Sequence, residues 1–457
     1  MNLRKKFFRY VIPSVASMWV FSIYTMADGI FVANGVGSQA LAAVNLSMPF
    51  INLVFAISLL FATGTSTVVS IAMGKVDGQE ANKLFTMNVA TVSVVSLVVT
   101  TLCLTNLDTV ARFLGAEGEL LAGVKEYLGI IIGFNGFFMV SYSLEVLVKT
   151  DGFPALATLG VCTGAVTNIV LDALFVLVFG WGLRGAAIAT GLSQLATAAV
   201  FLTHFLKKRA NLRFVRFRFK PREMLRIMSI GLADCVTELS SGVIIFLFNR
   251  AILGLVGDWA LAPYTAISYV NTLVLMTMVG ITQGMQPLVS FYCGKGENKQ
   301  CFRLLRMALC CAAVCAAVAF GISQLGGHWV MSIFMDEAER GFAYGASAFR
   351  TFSLSFLLLG FNVVLAGFFA AMERPAGAMT ISIGRGMALS ALALAVTAAL
   401  WGGEGIWLAP ALSELICLML SLVLYRVFFG KKAMLKWEQG MESKRILSKE
   451  RESLSAE

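Results

Sequence analysis

An acidic side chain and its polar neighbours stand within an apolar stretch in the first half of the chain. Asn168 and Asp172 are four residues apart in TNIVLDALFVLVFG, so a helix would place both on one face. The Gly-rich corner 180–185 turns the chain back, and Thr190 follows early in the next helix. A carboxylate inside a membrane span costs about 2.5–3.5 kcal/mol on insertion scales, which favours a functional role for Asp172. The alternative is an acid near a helix end that reaches headgroup water.

A second carboxyl group, that of Asp28, stands late in the first apolar stretch, in YTMADGIFVANG. The spacing alone does not place Asp28 beside Asp172. Two carboxylates in a medium of low dielectric repel each other unless a proton or a cation lies between them. The pair could bind a proton, or both acids could stay ionised around Na⁺ while neutral oxygens from Asn168 and Thr190 complete the shell. We predict an ion-coupling site, and the Na⁺ site if there is one, at these four residues.

The second half of the chain carries another set of polar residues in apolar segments. Asp234 and Glu238 are four apart in GLADCVTELSSG, again on one face, and Arg385 stands in ISIGRGMAL. One interpretation is an acidic patch that binds a cationic substrate and is partly neutralised by Arg385. The other is a closed ion-pair network that holds the second half together. Gln283 and Gln286 precede a proline that would kink their helix, and these five residues form the predicted substrate cavity.

Other residues with chemical potential are weaker candidates. Glu145 and Glu414 could each be a snorkelling or packing acid. The nine cysteines have no paired spacing, and His204 and His328 are too few and too far apart to suggest a metal site. The sequence has no G-x-x-x-x-G-K-[ST] motif, so ATP hydrolysis by this chain is not expected. We predict neither an enzyme nor a cofactor, and a transporter of this kind would draw on an ion gradient.

The chain that must position these residues has 457 residues, of which 58% are hydrophobic and 14% are charged. Because a soluble domain carries about 25% charged residues, the composition predicts an all-α polytopic membrane protein. A hydrocarbon core of about 30 Å requires about 20 apolar residues per helix. Twelve segments meet this requirement, at residues 10–32, 44–72, 86–106, 121–148, 154–179, 186–206, 227–255, 261–292, 307–327, 343–371, 376–401 and 405–428.

The net charge of +10 is unevenly distributed along the chain and does not indicate nucleic acid binding. Most Lys and Arg residues fall in the N-terminal segment, in alternate connections and in the tail, with nine in the linker 207–226. Lys149 is counted among these connecting residues. The positive-inside rule then places both termini in the cytoplasm. We interpret the linker as a topology anchor that contacts anionic lipid.

The two halves of the sequence resemble each other at an offset of about 220 residues. The offset matches Gly64 with Gly284 and Gly74 with Gly294, and each half has six predicted spans. A parallel repeat of this kind is known in transporters with a central site between the halves. We therefore predict an N-lobe with helices 1–6, a basic cytoplasmic linker, a C-lobe with helices 7–12 and a charged cytoplasmic tail, at residues 1–206, 207–226, 227–430 and 431–457.

These features together resemble the MATE (multidrug and toxic compound extrusion) transporters, and within them a MepA-like bacterial branch. The resemblance covers residues 5–430 and is carried by the two six-span repeats and by three motifs: MADGIFVANGVGSQALAA, N-x-x-x-D in the fifth span, and QPLVSFYCGKG after the eighth. It implies a multi-pass plasma-membrane antiporter that exports small organic cations in exchange for H⁺ or Na⁺ by alternating access. We further expect a monomer that needs no ATPase subunit.

The resemblance also implies roles for particular residues. Asp28 falls on the first-helix acid of the family, and Asn168, Asp172 and Thr190 fall on the ion ligands of its fifth and sixth helices. Other branches place a functional glutamate farther along the seventh helix than Glu238. The resemblance therefore implies an ion site in the N-lobe and leaves none expected in the C-lobe.

Two other classes of function stay open. A related superfamily of flippases exports lipid-linked oligosaccharides, often with more spans and a more cationic cavity that binds polyphosphate. Arg250, Arg350 and Arg385 within the spans leave room for this alternative. A passive channel or a non-transporting scaffold is a further alternative, although the duplicated halves and the lack of a receptor-like domain disfavour both.

Overall fold

The computed structural model describes residues 2–207, 210–338 and 341–430, whose regular structure is helical throughout; the predicted tail 431–457 lies outside these residues. The first half forms helices α1 (Leu3–Gly35), α2 (Ser38–Gly74), α3 (Gly78–Thr105), α4 (Leu107–Phe113), α5 (Gly118–Thr150), α6 (Pro154–Asp172) and α7 (Gly182–Leu206). The second half forms α8 (Pro221–Leu255), α9 (Leu261–Lys295), α10 (Asn298–Ser332), α11 (Phe342–Phe352), α12 (Phe356–Ala371), α13 (Pro375–Ile383) and α14 (Leu389–Phe429). Short π-helical segments follow α6 and α13, at Ala173–Val178 and Gly384–Ala388, and 3₁₀ turns precede α9 and α12, at Asp258–Ala260 and Ser353–Ser355.

Eleven helical stretches in the described residues are long and apolar enough to cross a bilayer. The last of them, Pro375–Phe429, has 55 residues, which would extend about 80 Å if the helix were straight. It is not straight, because Gly402 has φ of +58° and ψ of −138°, outside the helical region. This kink divides the stretch into two spans, which accounts for the twelve spans predicted from the sequence.

Glycines matched by the 220-residue offset have the same backbone conformation in both halves. Gly37 and Gly257, which precede helices, have φ of +111° and +121°. Gly182 and Gly402, which lie between consecutive spans, have φ of +57° and +58°. Such angles are readily adopted only by glycine. The sequence repeat therefore has a local structural counterpart at these turns, while the arrangement of two symmetric bundles stays a prediction.

The two halves meet through glycine-lined crossings at the end of the bundle where α1 begins and the linker 210–220 lies. We call this end the linker side and the opposite end the far side. Where α2 crosses α8, Gly64 faces the carbonyl oxygen of Ile227 and Gly231 faces that of Leu60, both too closely for a Cβ. The absence of side chains lets the two backbones touch directly.

The crossing of α1 and α9 on the same side is equally close. A Cβ added at Gly280 would lie 2.6 Å from Val15 Cα, and one added at Gly284 would lie 2.6 Å from Val11 Cα. Real Cβ atoms essentially never approach a neighbouring atom that closely. Backbone packed directly on backbone therefore joins the halves on the linker side.

The linker is fastened to first-half helices rather than lying free along the surface. The amide N–H of Leu212 donates to Asp151 Oδ1 at 2.7 Å, and the side chain of Asn211 donates to the Asp151 carbonyl at 2.8 Å. The other carboxyl oxygen of Asp151 bonds His204 Nε2 at 2.8 Å. Burial raises the pKa of Asp151, while the bonds from His204 and Leu212 oppose that shift.

Farther along the linker, α3 supplies the partners. The N–H of Arg213 donates to Asn82 Oδ1 at 2.8 Å, and the N–H of Val215 donates to Thr86 Oγ1 at 3.1 Å. Arg216 and Arg218 are exposed, as the predicted role in contacting anionic lipid would require. The backbone of the linker thus follows the first half up to the start of α8.

Candidate functional site

The end of α6 and the turn that follows it bring the predicted polar residues of the fifth and sixth spans together. Asn168 and Asp172 are fully buried. α6 ends at Asp172, where the π-helical segment begins, and π-helical irregularities are frequent at functional sites. Gly180 and Gly182, with φ of +66° and +57°, turn the chain into α7. As a result the Asn168 side-chain N–H donates to Thr190 Oγ1 at 3.4 Å.

The structure also brings Asp28 to this group, which the sequence spacing did not establish. The carboxyl groups of Asp28 and Asp172 lie within hydrogen-bonding reach of each other. Both carboxyl oxygens of Asp172, Oδ1 of Asp28 and Oδ1 of Asn168 are buried and have no hydrogen-bond donor in the part of the chain that the structure describes. The four predicted ion-coupling residues thus present a cluster of oxygen acceptors, and such a cluster suits a proton or a hard cation.

Two tyrosines near the carboxyl pair were not predicted. Tyr127 of α5 is buried and close enough to interact electrostatically with both Asp28 and Asp172, and Tyr24 of α1 interacts with Asp28. Nothing in the sequence spacing around Tyr127 singles it out, because its position depends on how α5 packs. A cavity of about 210 Å³ adjoins the group and is lined by residues that include Tyr24, Asp28, Tyr127, Asn135, Thr190 and Gln194.

The kinds of ligand atom around Asp172 limit which metal ions this group of residues could bind. The described residues contain no cluster of three or more His, Cys, Asp or Glu side chains that could bind a metal ion. The oxygen ligands here are two carboxylates, one amide and one hydroxyl, which suit a hard cation such as Na⁺ better than a transition metal. Na⁺ at this position would be a transported coupling ion.

A second cavity, of about 110 Å³, lies between the halves near the middle of the bundle. All five residues predicted to form the substrate cavity line it, namely Asp234, Glu238, Gln283, Gln286 and Arg385. Asp234 bonds Thr63 of the other half, and its Oδ2 has no donor among the described residues. The walls also include apolar and aromatic side chains: Met18, Phe21, Phe55, Tyr142, Leu275 and Met276. We call this space the central cavity.

Arg385 forms an ion pair within the second half of the chain. Its guanidinium donates to Glu414 Oε1 at 2.8 Å, and Asn362 donates to Glu414 Oε2 at 2.7 Å. Among the ion pairs of the described residues, none joins Arg385 to Asp234 or Glu238. Of the two interpretations that the sequence leaves open for Arg385, these contacts agree with the closed ion-pair network, although the partner is Glu414 rather than Asp234 or Glu238.

Lys149, which the charge count along the sequence places with the connecting segments, is a buried residue of α5. Its side chain is only 1% exposed, and its Nζ donates to Glu145 Oε1 at 2.7 Å and to Gln283 Oε1 at 3.1 Å. Gln283 in turn donates to the Tyr142 hydroxyl at 3.2 Å. Glu145 and Lys149 are one helical turn apart in the sequence, and this spacing could have predicted their ion pair.

Known proteins share both the sequence pattern and this architecture. The MatE family model matches residues 13–174 and 235–400. The chain is 22% identical over 427 residues to the multidrug export protein MepA of Staphylococcus saprophyticus, and 24% identical over 425 residues to that of Staphylococcus aureus (strain MRSA252). Both matches cover 92% of this chain and 93% of the relative.

Solved structures show the same fold. An outward-facing multidrug resistance MATE family transporter of the MOP superfamily superposes with a TM-score of 0.89 at 21% identity. A MOP superfamily transporter from Pyrococcus furiosus superposes with a TM-score of 0.87, also at 21% identity. Each comparison covers 93% of this chain and 96% of the solved chain. Since the family model spans more than half of the chain, this protein belongs to the MatE family of membrane transporters.

Proposed function

We propose that this protein is a secondary active antiporter that exports organic cations in exchange for H⁺ or Na⁺. The proposal is carried by the meeting of Asp28 and Asp172, whose buried oxygens have no donor among the described residues. Such a pair is stable only with a shared proton or a bound cation. Its loading therefore depends on the concentration of that ion on the side to which the site is open, and a gradient across the membrane would make this loading different on the two sides. The multidrug export proteins among the relatives support the substrate class.

The central cavity is the proposed binding site for the substrate. Asp234 and Glu238 supply negative charge there, and they form no ion pair in the described structure. Phe21 and Phe55 supply aromatic surface, which attracts organic cations, and Met276 supplies an adaptable apolar wall. Acidic groups on a largely apolar lining favour bulky organic cations over neutral or anionic compounds.

Export by alternating access requires two lobes that move relative to each other. We take residues 1–206 and 227–430 as these lobes and the linker side as cytoplasmic, because the basic linker lies there. Under this orientation the glycine crossings close the cytoplasmic side, and the conformation is outward-facing.

Helix α1 offers a direct connection between the ion site and the lobe contact. It carries Asp28 near one end, Val11 against Gly284 near the other, and Trp19 between them, whose indole donates to Thr277 Oγ1 at 2.9 Å. Ion binding at Asp28 would change the position of this helix and hence the contact between lobes. Because the coupling is reciprocal, ion binding lowers the affinity for the organic cation, and substrate binding lowers the affinity for the ion.

The test is ethidium efflux from proteoliposomes with the H⁺ and Na⁺ gradients imposed separately. We expect one gradient alone to drive uphill transport in the wild type and Asp28→Asn to abolish it. Asp108→Asn is the matched control, because Asp108 is an exposed acid of the short helix α4 whose pKa is lowered to about 2 by Arg112 and Lys125. Normal efflux by Asp28→Asn would contradict the proposal. If neither gradient drives transport of several cations, lipid-linked substrates become the next test, and downhill flux without ion dependence would indicate a channel.

A further inference from the structure

The buried ion pair of Lys149 and Glu145 has no role in the transport cycle described so far. Lys149 stands one residue before the end of α5, yet its side chain is almost completely buried. A buried ammonium group requires a counter-charge, and Glu145 provides it at 2.7 Å. Gln283, on α9 of the other half, provides the second bond at 3.1 Å.

Glu145 faces the same space as the proposed substrate acids. It lines the central cavity together with Asp234 and Glu238. Neither of those two acids has an ion pair within 4 Å among the described residues. Of the three acids that line this cavity, Glu145 therefore already holds a cation that belongs to the protein itself.

We propose that Lys149 is a tethered competitor of the organic cation for Glu145, an inference that rests on the proposed function. The ammonium group of Lys149 and the cationic group of a substrate are equivalent partners for one carboxylate. While Lys149 occupies Glu145, the cavity has one acid fewer to offer, and its affinity for a cation is lower. In the conformation described, closed on the linker side, Lys149 therefore promotes release of the substrate toward the far side.

The bond between Lys149 and Gln283 makes this competition depend on conformation. The two residues belong to different halves, so the bond breaks when the halves separate on the linker side. The bond from Gln283 to Tyr142 joins the halves too and breaks with it. Lys149 then has one partner fewer, and its flexible stem, near the end of α5, reaches water on the linker side. Glu145 becomes available to a cation that enters from that side.

The same arrangement favours cationic substrates over neutral molecules of similar shape. A cationic substrate replaces the ammonium group of Lys149 at Glu145, so the carboxylate stays neutralised throughout the exchange. A neutral molecule of similar shape would leave Lys149 in place and would gain nothing from Glu145. An unpaired buried carboxylate is strongly unfavourable, so Lys149 can leave Glu145 at a low cost in free energy only when a cationic substrate takes its place.

The test is equilibrium binding of tritiated tetraphenylphosphonium to the purified full-length protein. We expect Lys149→Gln to bind the probe about tenfold more tightly than the wild type, because Glu145 is released. Lys149→Arg keeps the competing cation and should stay within about twofold of the wild type. The double variant Lys149→Gln/Glu145→Gln removes both partners and should return to about the wild-type affinity.

An affinity of Lys149→Gln equal to or weaker than that of the wild type, with the purified variant monodisperse, would overturn the inference. If the double variant binds the probe as tightly as Lys149→Gln does, the inference would also be overturned, because the gain in affinity could not then come from Glu145. If Lys149→Gln does not fold, Gln283→Leu gives the answer, since it removes the bonds of Gln283 to Lys149 and to Tyr142 and leaves both members of the Lys149–Glu145 pair in place. That variant should bind about threefold more tightly, and unchanged affinity counts against the inference. If the wild type itself neither binds nor transports organic cations, the proposed function fails instead.

Discussion

Gly74 and Gly294, which the 220-residue offset matches, pack against each other across the two halves. A Cβ at Gly74 would lie 3.1 Å from Gly294 Cα. Gly74 also faces the carbonyl oxygen of Phe291, and Gly294 faces that of Ile71. Each half therefore contributes the same residue, in equivalent surroundings, to one crossing of α2 and α9. A contact between matched residues is expected for a two-fold arrangement of the lobes and supports the predicted symmetry.

The glycine crossings predict that added bulk blocks closure on the linker side. Gly284→Val would place side-chain atoms against the backbone of α1, where Val11 Cα lies 2.6 Å from the position of the Cβ. A helix backbone cannot move aside as a flexible side chain can, so we expect ethidium efflux from proteoliposomes to fall at least about tenfold. Gly321→Val on α10 is the control, because no atom lies within 4 Å of its Cβ position. Wild-type efflux by Gly284→Val would show that this crossing is not required.

The oxygen cluster around Asp172 predicts a way to identify the coupling ion. Asp172→Asn should abolish gradient-driven efflux with either ion, because the pair can no longer hold one. Thr190→Val removes a neutral oxygen while keeping both acids. For Na⁺ coupling we expect the half-maximal Na⁺ concentration to rise about tenfold, and for H⁺ coupling we expect efflux to stay within about twofold of the wild type. Full efflux by Asp172→Asn would contradict the proposed site.

The first-half polar group could be predicted in part from the sequence. The N-x-x-x-D spacing put Asn168 and Asp172 on one face, since helical periodicity is a local property. The meeting with Asp28 depended on the resemblance to the family, because residues about 140 apart in sequence meet only through tertiary packing. Tyr127 was missed for the same reason, as no local pattern records which side of α5 faces the site.

The sequence was least informative where the position of a charged side chain depends on its partner. The positive-inside rule counts cations by their position along the chain. It therefore counted Lys149 as a connecting residue, although Glu145 one turn earlier supplied a partner and allowed burial. For Arg385 the sequence left an acidic patch and a closed ion-pair network open, because its partner Glu414 lies on another span. Distances between spans are not recorded in local sequence patterns.

The unpaired acids of the central cavity predict a loss of affinity without a loss of folding. Glu238→Gln removes a charge that has no ion pair within the described structure, so the purified variant should remain as stable as the wild type. We expect its Kd for tetraphenylphosphonium to rise about tenfold, equivalent to about 1.4 kcal/mol. Glu126→Gln is the control, because that residue pairs with Arg184 away from the cavity. Unchanged affinity in Glu238→Gln would exclude this acid from the substrate site.

The attachment of the linker to Asp151 predicts a change in protease sensitivity. Asp151→Ala removes the acceptor for the Leu212 N–H and the partner of His204. The linker should then detach from the first half, and trypsin should cleave it at exposed sites such as Arg216 and Arg218 at least about fivefold faster. Glu80→Gln, which weakens only the surface pair with Lys220, should have a smaller effect. Equal cleavage rates in Asp151→Ala and the wild type would contradict this account of the linker.

The closed pair of Arg385 and Glu414 predicts a stability effect that separates it from the acidic patch. Arg385→Met leaves Glu414 buried with only Asn362 as a partner, which should destabilise the protein by about 3–5 kcal/mol and lower its Tm. Adding Glu414→Met should restore most of that loss, since two apolar side chains of similar length replace the pair. If Arg385 instead neutralised Asp234 and Glu238, Arg385→Met would tighten binding of tetraphenylphosphonium and leave the Tm unchanged. That second outcome would contradict the pairing of Arg385 with Glu414 and would indicate that Arg385 acts in the substrate site.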